Sequence, residues 1–170
     1  MPLDDLDILF EDLGFDEPTK EQTYEMYGIF LNDFKKNTFT VLGKQIKINE
    51  NKSKYPLFKG KCETFVHLVT RESKHSGKRY FDCHRANRIH WVKPILENVT
   101  DARILHFEKV NDKGYNQHFL WYREKDFIII LREIDPDLLL VTSFCVDALN
   151  KSLYKQWYEE YRQKKTSLRK

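Results

Sequence analysis

The apolar positions of this chain move between helical and strand intervals. Leu3, Leu6, Ile8, Leu9, Leu13 and Phe15 are set among acids at helical spacing, predicting a short amphipathic helix that ends near Gly14. A second helix is expected after Pro18. Thr19 is placed to cap it, Gln22 follows three residues later as a capping box requires, and Tyr24, Tyr27, Ile29, Phe30, Leu31 and Phe34 cover one side. The interval then shortens, and Phe39–Ile48 predicts a small hairpin turning at Gly43-Lys44. Asn49–Tyr55 is polar and charged. It sets a soft boundary between a helical extension with its hairpin, residues 1–55, and a main domain, residues 56–170.

In the main domain, Phe65-Val66-His67-Leu68-Val69-Thr70 is rich enough in β-branched and aromatic residues for a strand, with a short helix as the alternative. A basic loop containing Gly77 follows. Asp82 can cap a helix running through Trp91, with Ala86, Ile89, Ile95 and Leu96 as its apolar stripe, and Pro94 is expected to kink or restart it. Arg103–Phe107, Gln117–Arg123, Phe127–Arg132 and Leu138–Val146 read as strands. Their short links, among them Glu124-Lys125-Asp126 and Asp135-Pro136-Asp137, favour an antiparallel meander. Ala148–Gln163 predicts an aromatic, charged helix, and Lys164–Lys170 is a basic tail. The expected class is therefore α+β: an antiparallel sheet of about four strands with a packed helix, a helical N-terminal extension and a C-terminal helix.

Charge changes this picture more than composition does. The formal net charge is +3, but residues 1–34 carry −9 and the remainder +12. A basic body attracts polyanions. The acidic segment could shield that surface, bind a basic partner or aid solubility. No apolar run is long enough to cross a bilayer, and the acidic N-terminus lacks the order of a signal peptide, so no membrane partner is expected. Cys62, Cys83 and Cys145 are scattered, which suits reduced thiols in a cytoplasmic protein.

Nothing in the sequence matches a metal-ligand signature: Cys83-His84 and His90 do not form a recognised ligand pair, and there is no H-E-x-x-H. No metal is expected on that reading. The P-loop and the dinucleotide fingerprint are also missing, and no cofactor is expected. What the main domain does have is cations, imidazoles, hydroxyls and aromatics. Arg71, Lys74, Lys78 and Arg79 crowd one loop, and Arg85, Arg88 and Lys93 follow, with Arg85 and Arg88 sharing a helical face. Arginine forks suit phosphate oxygens. RNA carries its own nucleophile, the 2′-hydroxyl, so cleavage needs only a base, an acid and charge for the phosphorane. His67 and His90 are candidates for the proton transfers, against the alternative that His67 is a core residue. Thr142 and Ser143 interrupt an apolar strand and either bond locally or point into a phosphate site. Trp121 or Tyr122 could stack a base, or both could pack in the core.

Taken in order, Phe65-Val66-His67-Leu68, Gly77-Lys78-Arg79, Arg85-Ala86-Asn87-Arg88-Ile89-His90-Trp91-Val92-Lys93-Pro94, His118-Phe119-Leu120-Trp121-Tyr122, Phe127–Leu131 and Leu140–Asp147 resemble the phage-associated branch of the barnase/EndoU/colicin/RelE-like ribonuclease superfamily. The resemblance covers roughly Phe58 to Asp147. It implies a helix packed on a four-stranded antiparallel sheet, RNA across the open sheet face, and metal-independent transesterification that leaves a 2′,3′-cyclic phosphate. It further implies a toxin-like or phage-conflict setting, with tRNA or mRNA as substrate and an antitoxin or immunity protein as a possible partner. Carried onto this sequence, the catalytic set is His67 as general base or acid, Arg79 and Arg88 as phosphate ligands, and Thr142 as the hydroxyl beside the phosphate. Arg71, Arg85, His90, Lys93, Trp121 and Ser143 then become substrate-binding candidates. The acidic extension lies outside the match and would act as a lid or a docking handle.

Overall fold

A computed structural model describes residues 1–168. Arg169 and Lys170, the end of the expected basic tail, lie outside the described residues. In the N-terminal segment only Leu3–Asp5 form a 3₁₀ turn, and the predicted first helix does not form. Leu3 and Leu6 are nevertheless buried. Helix α1 spans Lys20–Phe30 behind the expected capping box: Gln22 N donates to Thr19 Oγ1 at 3.1 Å, and Thr19 N donates to Gln22 Oε1 at 2.9 Å. It continues into a π-turn, Leu31–Lys35.

Strands β1 (Thr40–Val41) and β2 (Lys44–Lys47) form the expected hairpin, but its turn falls at Leu42-Gly43. Both residues have positive φ, 54° and 78°, as the tight turn favoured by strand twist demands. Phe65–Thr70 is mostly helical: α2 spans Glu63–Val69. The predicted basic loop is itself a hairpin of β3 (Thr70–Glu72) and β4 (Arg79–Phe81). Asp82 caps a helix as expected, but that helix, α3, stops at Ala86 (Cys83–Ala86). A 3₁₀ turn at Ile89–Trp91 leads into α4 (Val92–Glu97). Pro94 therefore lies in the first turn of α4, where its missing N–H is no loss.

The meander follows as β5 (Ile104–Val110), β6 (Asn116–Tyr122), β7 (Phe127–Ile134) and β8 (Asp137–Cys145), antiparallel to one another in that order. The sheet is larger and less uniform than expected. Strand β2 adds to β8 in parallel through Ile46–Leu138 and Lys47–Leu139, which makes a six-stranded mixed sheet of order β1-β2-β8-β7-β6-β5. Ile130 faces Thr142 while Leu131 faces Leu140, so Val141 is an extra residue bulged out beside Thr142.

Strand alternation divides the apolar residues between two cores. Leu120, Tyr122, Phe127, Ile129 and Leu131 face the larger one, which also takes Leu3, Leu6, Met26, Phe30, Phe58, Phe65 and Ile95. This core runs across the soft boundary at residues 49–55. Phe107, Phe119, Trp121 and Ile128 face the smaller core, covered by Tyr154, Trp157 and Tyr158 of helix α5, Ala148–Leu168. The face that the resemblance leaves open to RNA is thus capped here by α5.

Candidate functional site

Three short elements meet at the C-terminal half of β8. In the β3–β4 hairpin Arg71 faces Tyr80 and Glu72 faces Arg79. Arg79 folds inward, its Nη1 donating to Thr70 Oγ1 at 3.0 Å and its Nη2 standing 3.8 Å from a Glu72 oxygen. Asp82 fixes the start of α3 by accepting from the backbone N–H groups of His84 and Arg85, each at 3.1 Å. Arg85 is thereby aimed back across the hairpin. Its Nη1 donates to Thr70 O at 2.8 Å and to Thr142 Oγ1 at 3.3 Å, while its Nε stands 3.4 Å from Asp82. The Thr142 hydroxyl in turn donates to the carbonyl of His67 at 2.8 Å. One chain of polar contacts therefore ties β8 to α2, β3 and α3.

His67 joins this cluster through its backbone carbonyl. Its side chain is 41% exposed and its Nε2 lies 3.7 Å from Glu63. Burial, followed by the charge of Arg79, holds its pKa below the ordinary 6.5, with Glu63 and Glu72 opposing. The imidazole is therefore neutral at neutral pH, as a proton acceptor must be. Burial also lowers the pKa of Arg85, and Asp82 partly restores it. An arginine starts so far above neutrality that the group keeps its charge at pH 7, in a half-enclosed position where its field is poorly screened.

Beside this cluster opens a groove of about 680 Å³. Arg71, Lys74, His84 and Arg85 supply its basic wall, with Asp82 and Asp147 also present. Phe15, Phe81, Phe144, Tyr154 and Trp157 supply its aromatic surface. The Arg85 guanidinium lies 5.6 Å from the Phe144 ring centre. Cations and aromatic rings lining one groove suit a single-stranded nucleic acid, whose phosphates and bases each find a partner.

Of the sequence candidates, the structure places Arg71 and Arg85 in the groove lining and bonds Arg85 to Thr142, while His67, Arg79 and Thr142 lie outside that lining. It separates the others. Arg88 bonds the His84 carbonyl and stacks over Trp91 at 5.1 Å, outside the groove lining. His90 lies near Asp7, and its Nδ1 is buried without a partner. The ammonium of Lys93 sits over Phe39 at 5.7 Å. Trp121 is fully buried under α5 and cannot stack a base, and Ser143 is likewise fully buried with an unpartnered hydroxyl. Both follow from strand alternation once each face of the sheet is covered. The aromatic wall was missed: Phe144, Tyr154 and Trp157 share the groove because α5 folds back over the sheet, and no local pattern signals that return.

A second polar cluster crosses β5, β6 and β7. His106 Nε2 lies 2.9 Å from His118 Nδ1, and His118 Nε2 lies 2.8 Å from Glu133 Oε1. Burial and the neighbouring His118 push the His106 pKa down to about 4. His106, Glu108 and Glu133 were not singled out from the sequence. The visible signal was His106-x-Glu108 at strand period, with His118 on the next strand. Comparison with protein-family models, curated proteins and solved structures gave no match.

Proposed function

We propose that the chain is a metal-independent endoribonuclease that holds a single-stranded stretch of RNA in the groove and cuts it beside His67. The observation that carries this reading is a partly exposed imidazole in the field of two inward-facing arginines, next to a groove lined by cations and aromatics. In the reaction, His67 takes the proton of the 2′-hydroxyl as that oxygen attacks phosphorus. The P–O5′ bond breaks, the 5′-oxygen leaves with a proton taken from water, and a 2′,3′-cyclic phosphate is produced. Arg79 and Arg85 supply charge to the phosphorane. Arg71 and Lys74 hold flanking phosphates, and Phe144 and Tyr154 stack bases. A toxin-like or phage-conflict setting, with tRNA or mRNA as target and an antitoxin or immunity protein as partner, rests on the sequence resemblance alone.

A second reading, a non-catalytic RNA- or ribosome-binding module, is favoured by one observation. The Thr142 hydroxyl and both arginine forks are already engaged with protein partners, so catalysis requires RNA to compete for them. Purified protein is incubated with total tRNA and with a long mRNA in EDTA, and the product ends are mapped. Cyclic-phosphate ends from wild type, reduced at least 100-fold in His67→Ala and Arg85→Ala and less in Arg88→Ala, are the expected result. Binding without cleavage would replace the enzyme reading with the binding module. Cleavage that survives both substitutions would overturn the site.

A further inference from the structure

We propose that His106, Glu108 and His118 form a three-ligand site for one divalent first-row transition-metal ion, with zinc as the leading candidate. The site lies outside the groove and is independent of the ribonuclease reading. It is built by sheet register. Glu108 and His118 are direct cross-strand partners, and His106 precedes Glu108 by two residues, so all three project from one face with Leu120 and Tyr122. One ligand atom from each lies within 4.8 Å of the others. The two imidazole rings are stacked, 11° from parallel with centres 5.1 Å apart, and present His106 Nε2 and His118 Nδ1 to each other.

The surroundings match those of a metal centre. A metal-bound histidine ordinarily donates its other ring N–H to a carboxylate, which fixes the tautomer that leaves the ligating nitrogen bare. With His118 Nδ1 as ligand, its Nε2 donates to Glu133 at 2.8 Å and stands 3.7 Å from a Glu108 oxygen, which must turn towards Nδ1 to join the ion, and Lys44 stands 3.7 Å from that same Glu133 oxygen. Glu108 is held by Asn116 Nδ2 and by the Tyr161 hydroxyl of α5, each at 2.8 Å. His118 is only 7% exposed, and Glu108 opens onto a groove along α5 through which an ion can enter. Zinc–nitrogen bonds of about 2.0–2.1 Å put tetrahedral donors about 3.4 Å apart. The nitrogens now 2.9 Å apart therefore need to part by only about half an ångström. Two imidazoles and a carboxylate suit zinc, cobalt or nickel better than calcium or magnesium, and leave a fourth position open. A bound ion would pin the edge strand β5 to β6 and, through Tyr161, to α5.

The full chain is stripped with EDTA, freed of chelator and titrated with zinc chloride by calorimetry and with cobalt chloride by visible absorption. One equivalent is expected, with an intense tetrahedral-type cobalt spectrum and a melting temperature that rises with added zinc. His106→Gln and Glu108→Gln remove partly exposed ligands. Each is expected to weaken binding at least tenfold while keeping the wild-type circular dichroism in EDTA. Glu133→Gln, which removes the carboxylate that orients His118 and pairs with Lys44, is expected to weaken binding about tenfold. His75 and His84 are left intact, so binding at scattered histidines would be equal in wild type and variants. Either that equality or the absence of saturable binding to wild type would overturn the site.

Discussion

His67 stands between opposing charges, with Arg79 and Arg85 lowering its proton affinity and Glu63 and Glu72 raising it. Burial decides the direction. Like His67, His90 is held below its ordinary pKa of 6.5 by burial, with Asp7 opposing and Arg88 assisting. In the pH interval between the lowered folded values and 6.5, the unfolded chain binds more protons than the folded one. The stability contributed is thus complete above pH 6.5 and is lost as the pH falls through the folded values. Urea midpoints measured from pH 7.5 down to about 5 should fall, and the fall should be shallower in His67→Gln and His90→Gln. The same shift sets the reaction. If His67 is the base, the acid limb of the pH–rate profile lies below 6.5 and disappears in His67→Gln. A limb at or above 6.5 would remove His67 from that role.

At the scale of elements, Trp121 shows how packing overrides a surface reading. Its ring lies among Phe107, Phe119 and Ile128, under the aromatic residues of α5, and its Nε1 has no partner. Trp121→Ala should cost about 3–5 kcal/mol, while Trp121→Phe, which discards an unsatisfied N–H, should cost much less. Chemical denaturation of both variants measures the difference, and equal costs would mean that the indole nitrogen is satisfied in solution. Much of this layer was legible beforehand. The Thr19–Gln22 capping box, the Asp82 cap, the four meander strands and the C-terminal helix each carry a local signature of side-chain chemistry or period. Phe65–Thr70 did not, because a short run that is mostly apolar has too little period to separate strand from helix, and its packing, chiefly against β8, goes with α2. The parallel joining of β2 to β8 was equally hidden, since it pairs residues far apart in sequence. For the same reason the cluster of His67, Arg79, Arg85 and Thr142 was legible as a set of residue types. The groove walls supplied by α5 and Phe15 were not.

For the whole molecule, the charge split of −9 and +12 takes a definite form. The acidic segment is strapped across the helices that follow the groove. Leu9 N donates to Asn87 O, the Asn87 side chain pairs with the backbone of Phe10, Trp91 Nε1 donates to Asp7 O, and Asp4 pairs with Arg103. Leu3 and Leu6 complete the core, so deleting the segment would test folding and not shielding. Substitution separates the two roles. Leu6→Ala should lower stability by about 2–5 kcal/mol with little change in RNA affinity at temperatures where the protein is folded. Asp16 and Glu17 are exposed and adjoin Phe15, which lines the groove. Neutralising both, as Asp16→Asn with Glu17→Gln, should leave stability within about 0.5 kcal/mol of wild type. It should also raise affinity for single-stranded RNA at low salt, with the gain shrinking as salt screens the charges. Fluorescence anisotropy with a labelled oligonucleotide across a salt series reads both effects. An affinity gain that fades with salt means that the acids oppose polyanion entry at the mouth of the groove. Unchanged affinity at low salt would confine the segment to its packing role and leave its charge to serve a partner other than RNA.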